Sequence, residues 1–174
     1  MPNWCSNSLT LSHKDPAQIK RAVDAFNDGR LLQELIPSPN GEWEYDWSVE
    51  NWGTKWDVGG DDCQEPVVSE DGKSADFYFD SAWAPPVQAY QTLDQNGFGV
   101  HAMYYESGMA FAGIWSDGFD DYYEFSGIKS EDVQQLLPAE LDEFFAISET
   151  MAEWEDPEPL TEWYQQGVKD KELK

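Results

Sequence analysis

The side chains with chemical potential in this chain are mostly carboxylates. Two adjacent pairs, Asp61-Asp62 and Asp120-Asp121, carry the oxygen donors that a divalent cation needs. No Asp-x-Asp-x-Asp-Gly loop surrounds either pair, and doublets arise easily among 35 acids. Paired carboxylates can also act as general acid and base, but nothing in the sequence selects one pair. The only histidines are His13 and His101, and the only cysteines are Cys5 and Cys63. These do not form a cluster at zinc-ligand spacing. No G-x-S-x-G occurs, and neither cysteine has a histidine close in sequence. The segment Asp71–Ser74, DGKS, resembles the end of a phosphate loop. Val67 stands where that loop requires a glycine, so the segment is read as a turn. The expectation is a non-enzymatic protein with no catalytic residue, no metal and no cofactor.

The tryptophans pose the second question. Trp52 and Trp56 lie four residues apart in ENWGTKWDVGG, residues 50–60. Aromatics at strand spacing are usually core, which makes them the seam of a small sheet. Alternatively they line a groove with Trp4, Trp83 and Trp115. Trp83 precedes two prolines in SAWAPP, at a strand end where ligands often bind. The prolines alone also explain a rigid turn there. Tyr104, Tyr105 and Glu106 lead into a glycine turn, but no lysine or arginine accompanies them, which disfavours RNA stacking. The groove reading therefore names Trp52, Trp56, Trp83 and Tyr105 as a site for a small molecule or peptide. Lys55 and Asp57 flank Trp56 and are expected to form an outward ion pair of little worth.

Charge is the compositional outlier. Thirty-five acids face ten bases, a net charge of −25. Residues 1–39 carry four of each sign, residues 40–80 carry twelve acids against Lys55 and Lys73, and residues 117–158 carry fourteen against Lys129. A compact chain of this length spans roughly 40 Å. Forty ångströms of duplex DNA carries about 24 charges. This match permits imitation of nucleic acid, and the lack of a basic stripe argues against direct nucleic-acid binding. The expected partner is a basic, nucleic-acid-binding host protein. The expected contact residues are Asp57, Asp61, Asp62, Glu65, Glu70 and Asp71, with Asp117, Asp120, Asp121 and Glu124.

These residues need elements to hold them. Ser6–Ser12 alternates as a first strand, and Asp15-Pro16 opens a helix with Ile19, Val23 and Phe26 at helical spacing, stopped near Gly29. LLQELIPSPNG reads as a lead into a loop. Trp43, Tyr45 and Trp47 alternate like a strand, GTKWDV reads as another, and residues 61–72 read as an acidic loop. KSADFYFDSAW is the clearest strand. A second helix runs from Pro85-Pro86 to Asn96-Gly97, and a hairpin over 98–118 extends through DDYYEF into a meander. The order β-α-β-β-α-β implies an α+β, ferredoxin-like antiparallel sheet with two helices on one face. After Ser126 the pattern becomes helical: KSEDVQQLL, then AELDEFFAISETMAEWE with Leu141, Phe144, Phe145, Ile147, Met151 and Trp154 on one side, then a loose tail. The expected division is 1–126 for the sheet domain and 127–174 for an acidic helical extension. No 18-residue apolar run and no secretory signal pattern is present, so a cytoplasmic location is expected. Oligomeric state is not readable from the sequence.

Four segments, MPNWCSNSLTLS, YDWSVENWGTKWDV, FYFDSAWAPP and YYESGMAFAGIW, resemble the YubB-like family of plasmid, phage and enterobacterial proteins. The resemblance covers residues 1–126. It implies a ferredoxin-like domain and a mobile-element origin, and brings no catalytic residues. Two cysteines cannot supply the four thiolates of the usual iron–sulfur cluster.

Overall fold

The structure, a computed structural model, describes residues 3–155. The chain divides into two compact units, Met1–Ser126 and Gly127–Lys174.

The first unit is built on a six-stranded, wholly antiparallel sheet. Its strands are β1 (Trp4–Ser12), β2 (Val67–Val68), β3 (Ser74–Ala82), β4 (Gly99–Glu106), β5 (Phe111–Ser116) and β6 (Phe119–Glu124). They lie side by side in the order β2-β3-β1-β4-β5-β6. Two-residue alternation sets the faces. Leu9, Leu11, Phe77, Phe79 and Ala102 turn inward and are buried. Ser6 and Thr10 turn to the other face, where their hydroxyls donate to Asp80 (2.8 Å) and Asp76 (2.6 Å) across the β1–β3 pair.

Helix α1 (Pro16–Asn27) starts as the sequence predicts. The Asp15 carboxylate accepts the Ala17 N–H at 3.0 Å and Pro16 occupies the first helical position. Gly29, with φ +70°, ends it. Helix α4 (Val87–Gln95) follows the two prolines. Ile19 and Phe26 of α1 join Tyr90 and Leu93 of α4 in one core with the inward residues of the sheet. The β5–β6 turn is Asp117-Gly118, both at positive φ, the geometry that a tight hairpin demands.

Residues 31–58 differ from the sequence expectation. LLQEL forms a short helix, α2 (Leu31–Leu35), because Leu31, Leu32 and Leu35 can all be buried in a helical turn. Trp43, Tyr45 and Trp47 are not a strand: α3 (Tyr45–Asn51) is helical, with Ser48 and Trp52 buried four residues apart. GTKWDV is an irregular loop that joins no strand ladder: the Thr54 hydroxyl binds the Ala82 carbonyl and the Asp57 carboxylate accepts from Leu32. The acidic loop is interrupted by β2, which pairs only with Asp76 and Ala75. DGKS forms the turn into β3, with Gly72 at φ +68° and the Asp71 carboxylate accepting from Lys73 N–H.

The second unit contains α5 (Ser130–Leu136), α6 (Ala139–Phe145) and α7 (Ile147–Glu155). The expected single helix from Ala139 breaks at Ala146, which is left-handed at φ 50°. Asp142 causes the restart: its carboxylate accepts the Ser148 N–H (2.7 Å) and hydroxyl (2.6 Å), capping α7. The expected apolar side is consequently split. Leu141 and Ile147 are buried, whereas Phe144 and Trp154 are exposed. The expected loose tail, residues 156–174, lies outside the described residues. Among the described residues no helix is long and apolar enough to cross a membrane.

Candidate functional site

The loop of residues 52–57 determines what the first unit displays. Trp52 is buried at 2% exposure, and its indole N–H donates to the Ile36 carbonyl at 3.0 Å. Its ring meets Trp47 edge-on at 5.5 Å. Trp52 is therefore core and not part of a groove. Gly53 follows at φ +86°, and a Cβ there would run into the side chain of Gln88. Thr54 donates its hydroxyl to the Ala82 carbonyl (3.1 Å), tying the loop to the end of β3.

Asp57 was expected to face a partner, or to pair with Lys55, and it does neither. Its carboxylate accepts the N–H groups of Leu32 (2.7 Å), Gln33 (2.8 Å) and Val58 (2.8 Å). The residue before α2 is Arg30, which makes no capping bond of its own. Asp57 thus caps a helix 25 residues away, meeting two of the four donors that a helix start leaves without an acceptor. Burial pushes its carboxyl above the usual range, opposed by these three N–H groups.

Between the inward-turned Trp52 and Asp57, Thr54 is also buried, Lys55 is half-buried and Trp56 is exposed. The Trp56 ring is exposed and sits 6.0 Å from the exposed Trp4 ring, tilted by 38°. The Lys55 ammonium lies 4.4 Å from the centre of the Trp56 ring and 5.9 Å from that of Tyr45. The Trp43 indole N–H donates to the Lys55 carbonyl at 2.8 Å. Trp43 is 53% exposed, Tyr45 50% and Trp4 50%. Close to them in sequence, Glu42, Glu44, Asp46 and Glu50 are all exposed.

Trp83 belongs to the same end of the sheet. It follows Ala82, the residue paired with Trp4, and its N–H donates to the Asn3 carbonyl at 2.9 Å. Its φ is +75° and it is 57% exposed. A bulky residue in that backbone region costs roughly 1–3 kcal/mol. A buried polar chain fixes this end. Tyr90 donates to the Asn7 side-chain oxygen (3.2 Å), Asn7 donates to the Cys5 carbonyl (2.7 Å) and Ser81 hydroxyl (2.8 Å), and Ser81 donates to the Ala84 carbonyl (2.8 Å).

The other members of the expected groove are elsewhere. Trp115 is buried, with the Tyr90 ring 6.4 Å away. Tyr105 is half-buried on β4 and stacks on Phe125 at 6.3 Å. The sequence reading missed Trp43 and Tyr45, because it placed them on a strand.

The acids fall into separate groups. Asp61, Asp62, Glu65, Glu70 and Asp71 are exposed in the segments flanking β2. Asp117, Asp120, Asp121 and Glu124 are exposed on β6 and the turn before it. Strands β2 and β6 are opposite edges of the sheet. Five strand spacings separate them by about 24 Å. Although exposed as a residue, Asp120 accepts the Tyr104 hydroxyl at 2.6 Å in a part-buried contact, and partial desolvation there raises its carboxyl above the usual range.

Reactive groups are subdued. Both cysteines are free thiols. Burial, reinforced by Glu106, raises the Cys5 thiol to about 12, so it stays protonated at neutral pH. The Glu106 carboxylate is used by the β4–β5 turn, accepting the N–H groups of Gly108 (2.8 Å) and Met109 (2.6 Å). His13 packs on Phe98 at 5.0 Å. Among the described residues no group of three or more His, Cys, Asp or Glu side chains is placed to hold a metal ion. No family model matches the chain, and no curated protein or solved structure matches it.

Proposed function

We propose that the protein is a non-enzymatic binding protein that takes a basic segment of another protein onto its exposed aromatic cluster. The observation that carries this reading is the cluster itself. The exposed Trp56 and Tyr45 rings face the Lys55 ammonium, Trp4 stands 6.0 Å from Trp56, Trp43 binds the Lys55 carbonyl, and Glu42, Glu44 and Asp46 are exposed beside them in sequence. Exposed tryptophan faces attract cations, and neighbouring carboxylates strengthen that attraction. The strained Trp83 backbone supports the same reading, since strain of this kind collects at functional positions. The net charge of −25 speeds encounter with a basic partner and makes it salt-sensitive.

A cytoplasmic protein that handles nucleic acid is the partner class this chemistry fits, because gripping phosphates requires clustered lysine and arginine. Imitation of a duplex on one continuous acidic face is the weaker form of the proposal, given that the acids of residues 61–71 and 117–124 flank opposite edges of the sheet. The proposal also includes a ferredoxin-like fold and YubB-like membership, with the plasmid or phage origin this implies. The β-α-β-β-α-β run of β1, α1, β2, β3, α4 and β4, with sheet order β2-β3-β1-β4, supports the fold.

Fluorescence anisotropy with a labelled arginine- and lysine-rich peptide tests the reading. Binding should fall about 2–5-fold in Trp56→Ala or Trp4→Ala, the worth of an exposed cation–ring contact, and both variants keep every charge. Equal binding by wild type and both variants would show charge attraction alone and overturn the role of the cluster.

A further inference from the structure

Building on that reading, we infer that the Trp56 face is an arginine-binding subsite which Lys55 keeps occupied until a partner's guanidinium displaces it. In a chain with 35 acids, an ammonium has many ways to find a carboxylate. Lys20, Arg21 and Arg30 all do so. Lys55, like Lys14, Lys73 and Lys129, makes no such ion pair among the described residues, but it alone of these rests its charge on aromatic rings, those of Trp56 and Tyr45. The loop fixes its starting point, since the Lys55 carbonyl is held by the Trp43 indole. The side chain beyond Cα is a flexible four-carbon tether, held only by weak attraction at an exposed ring.

A guanidinium is the better occupant. It is planar and more weakly hydrated than an ammonium, and it stacks on aromatic faces. Trp56 and Trp4, 6.0 Å apart and tilted by 38°, offer two indole surfaces to a flat group. A stacked guanidinium also keeps its five N–H donors free in plane. The exposed carboxylates of Glu42, Glu44 and Asp46 provide acceptors beside the rings in sequence. The subsite therefore prefers arginine to lysine, and Lys55 lowers its affinity for either by competing.

Isothermal titration with two matched peptides, one with a single central arginine and one with lysine, tests this. Lys55→Ala clears the ring, and Lys73→Ala removes the same charge from the turn before β3. Lys55→Ala should tighten arginine-peptide binding about 2–5-fold beyond Lys73→Ala, the ratio that corresponds to an exposed cation–ring contact. The arginine peptide should bind more tightly than the lysine peptide, and Trp56→Leu should remove the difference. Equal affinities for Lys55→Ala and Lys73→Ala, with binding still dependent on Trp56, would overturn the displacement while leaving the aromatic reading intact. Weaker binding in Lys55→Ala would make Lys55 a contact and not a competitor. Binding unaffected by Trp56→Leu would overturn both.

Discussion

Replacing Asp57 by alanine should destabilise the first unit by about 3 kcal/mol without weakening partner binding at folded concentrations of protein. Three backbone donors lose their acceptor: Leu32, Gln33 and Val58. Loss of a side-chain helix cap alone costs about 0.5–2 kcal/mol. A bond to a charged acceptor contributes about 1.5–3 kcal/mol, and an orphaned buried donor about 1–3 kcal/mol. Against this stands the relief of removing a carboxylate that burial already disfavours. The net of about 3 kcal/mol corresponds to a fall in Tm of roughly 10 °C for a domain of this size. Asp57→Asn keeps one acceptor oxygen and should lose about half as much. Urea unfolding followed by tryptophan fluorescence gives both numbers, with an unchanged m value showing that the folded and unfolded states keep their compactness. A loss below about 0.5 kcal/mol for alanine would refute the remote cap. Unchanged stability with weakened binding of a basic peptide would restore Asp57 to the surface role that its sequence position suggests.

Three further outcomes are expected. Gly113→Ala should cost about 1–3 kcal/mol, because its Cβ would strike the Tyr104 hydroxyl end and lie 2.8 Å from the Asp121 carbonyl. In a Tyr104→Leu background the same change should cost less, and equal costs in a denaturation cycle would contradict the collision. Stability should fall as pH rises above the ordinary aspartate value of 3.8 toward neutrality, since Asp57 and Asp120 both hold their protons longer when folded. Glu34, kept below the usual range by Arg21 and Arg30, acts in the opposite sense, but it is solvent-screened. Asp120→Asn should flatten the urea-midpoint profile, and an unaltered profile would remove Asp120 from the explanation. Trp52→Phe should destabilise by about 1–3 kcal/mol by orphaning the Ile36 carbonyl and leaving a gap, while basic-peptide affinity stays unchanged among folded molecules.

The regular parts of the first unit could be read from local pattern. Alternation in β1 and β3 names the inward residues, and Asp15-Pro16 names the start of α1, because neighbours in sequence decide both. The segment 31–58 could not, because its structure depends on distant partners. Asp57 satisfies a helix 25 residues earlier, and Thr54 binds a carbonyl 28 residues later. The strand-like spacing of Trp43, Tyr45 and Trp47 misled for the same reason: the partner of Trp47 is Trp52, five residues on at the end of α3, and among the described residues no strand pairs with it. The break at Ala146 follows from Asp142 reaching Ser148, which residue type alone does not announce. Sequence named Trp56 and Trp83 as site candidates but grouped them with Trp52 and Tyr105. Only the fold separates buried indoles from displayed ones, and only its topology sends the acids of residues 61–71 and 117–124 to opposite edges.

The most direct measurement is a two-dimensional NMR titration of the tryptophan indole N–H signals with an arginine-containing basic peptide. The exposed indoles of Trp4, Trp56 and Trp83 should shift in a saturable manner, with those of buried Trp52 and Trp115 unmoved. Shifts confined to backbone amides of residues 61–71 or 117–124, with silent indoles throughout, would contradict the account and place recognition on the acidic edges.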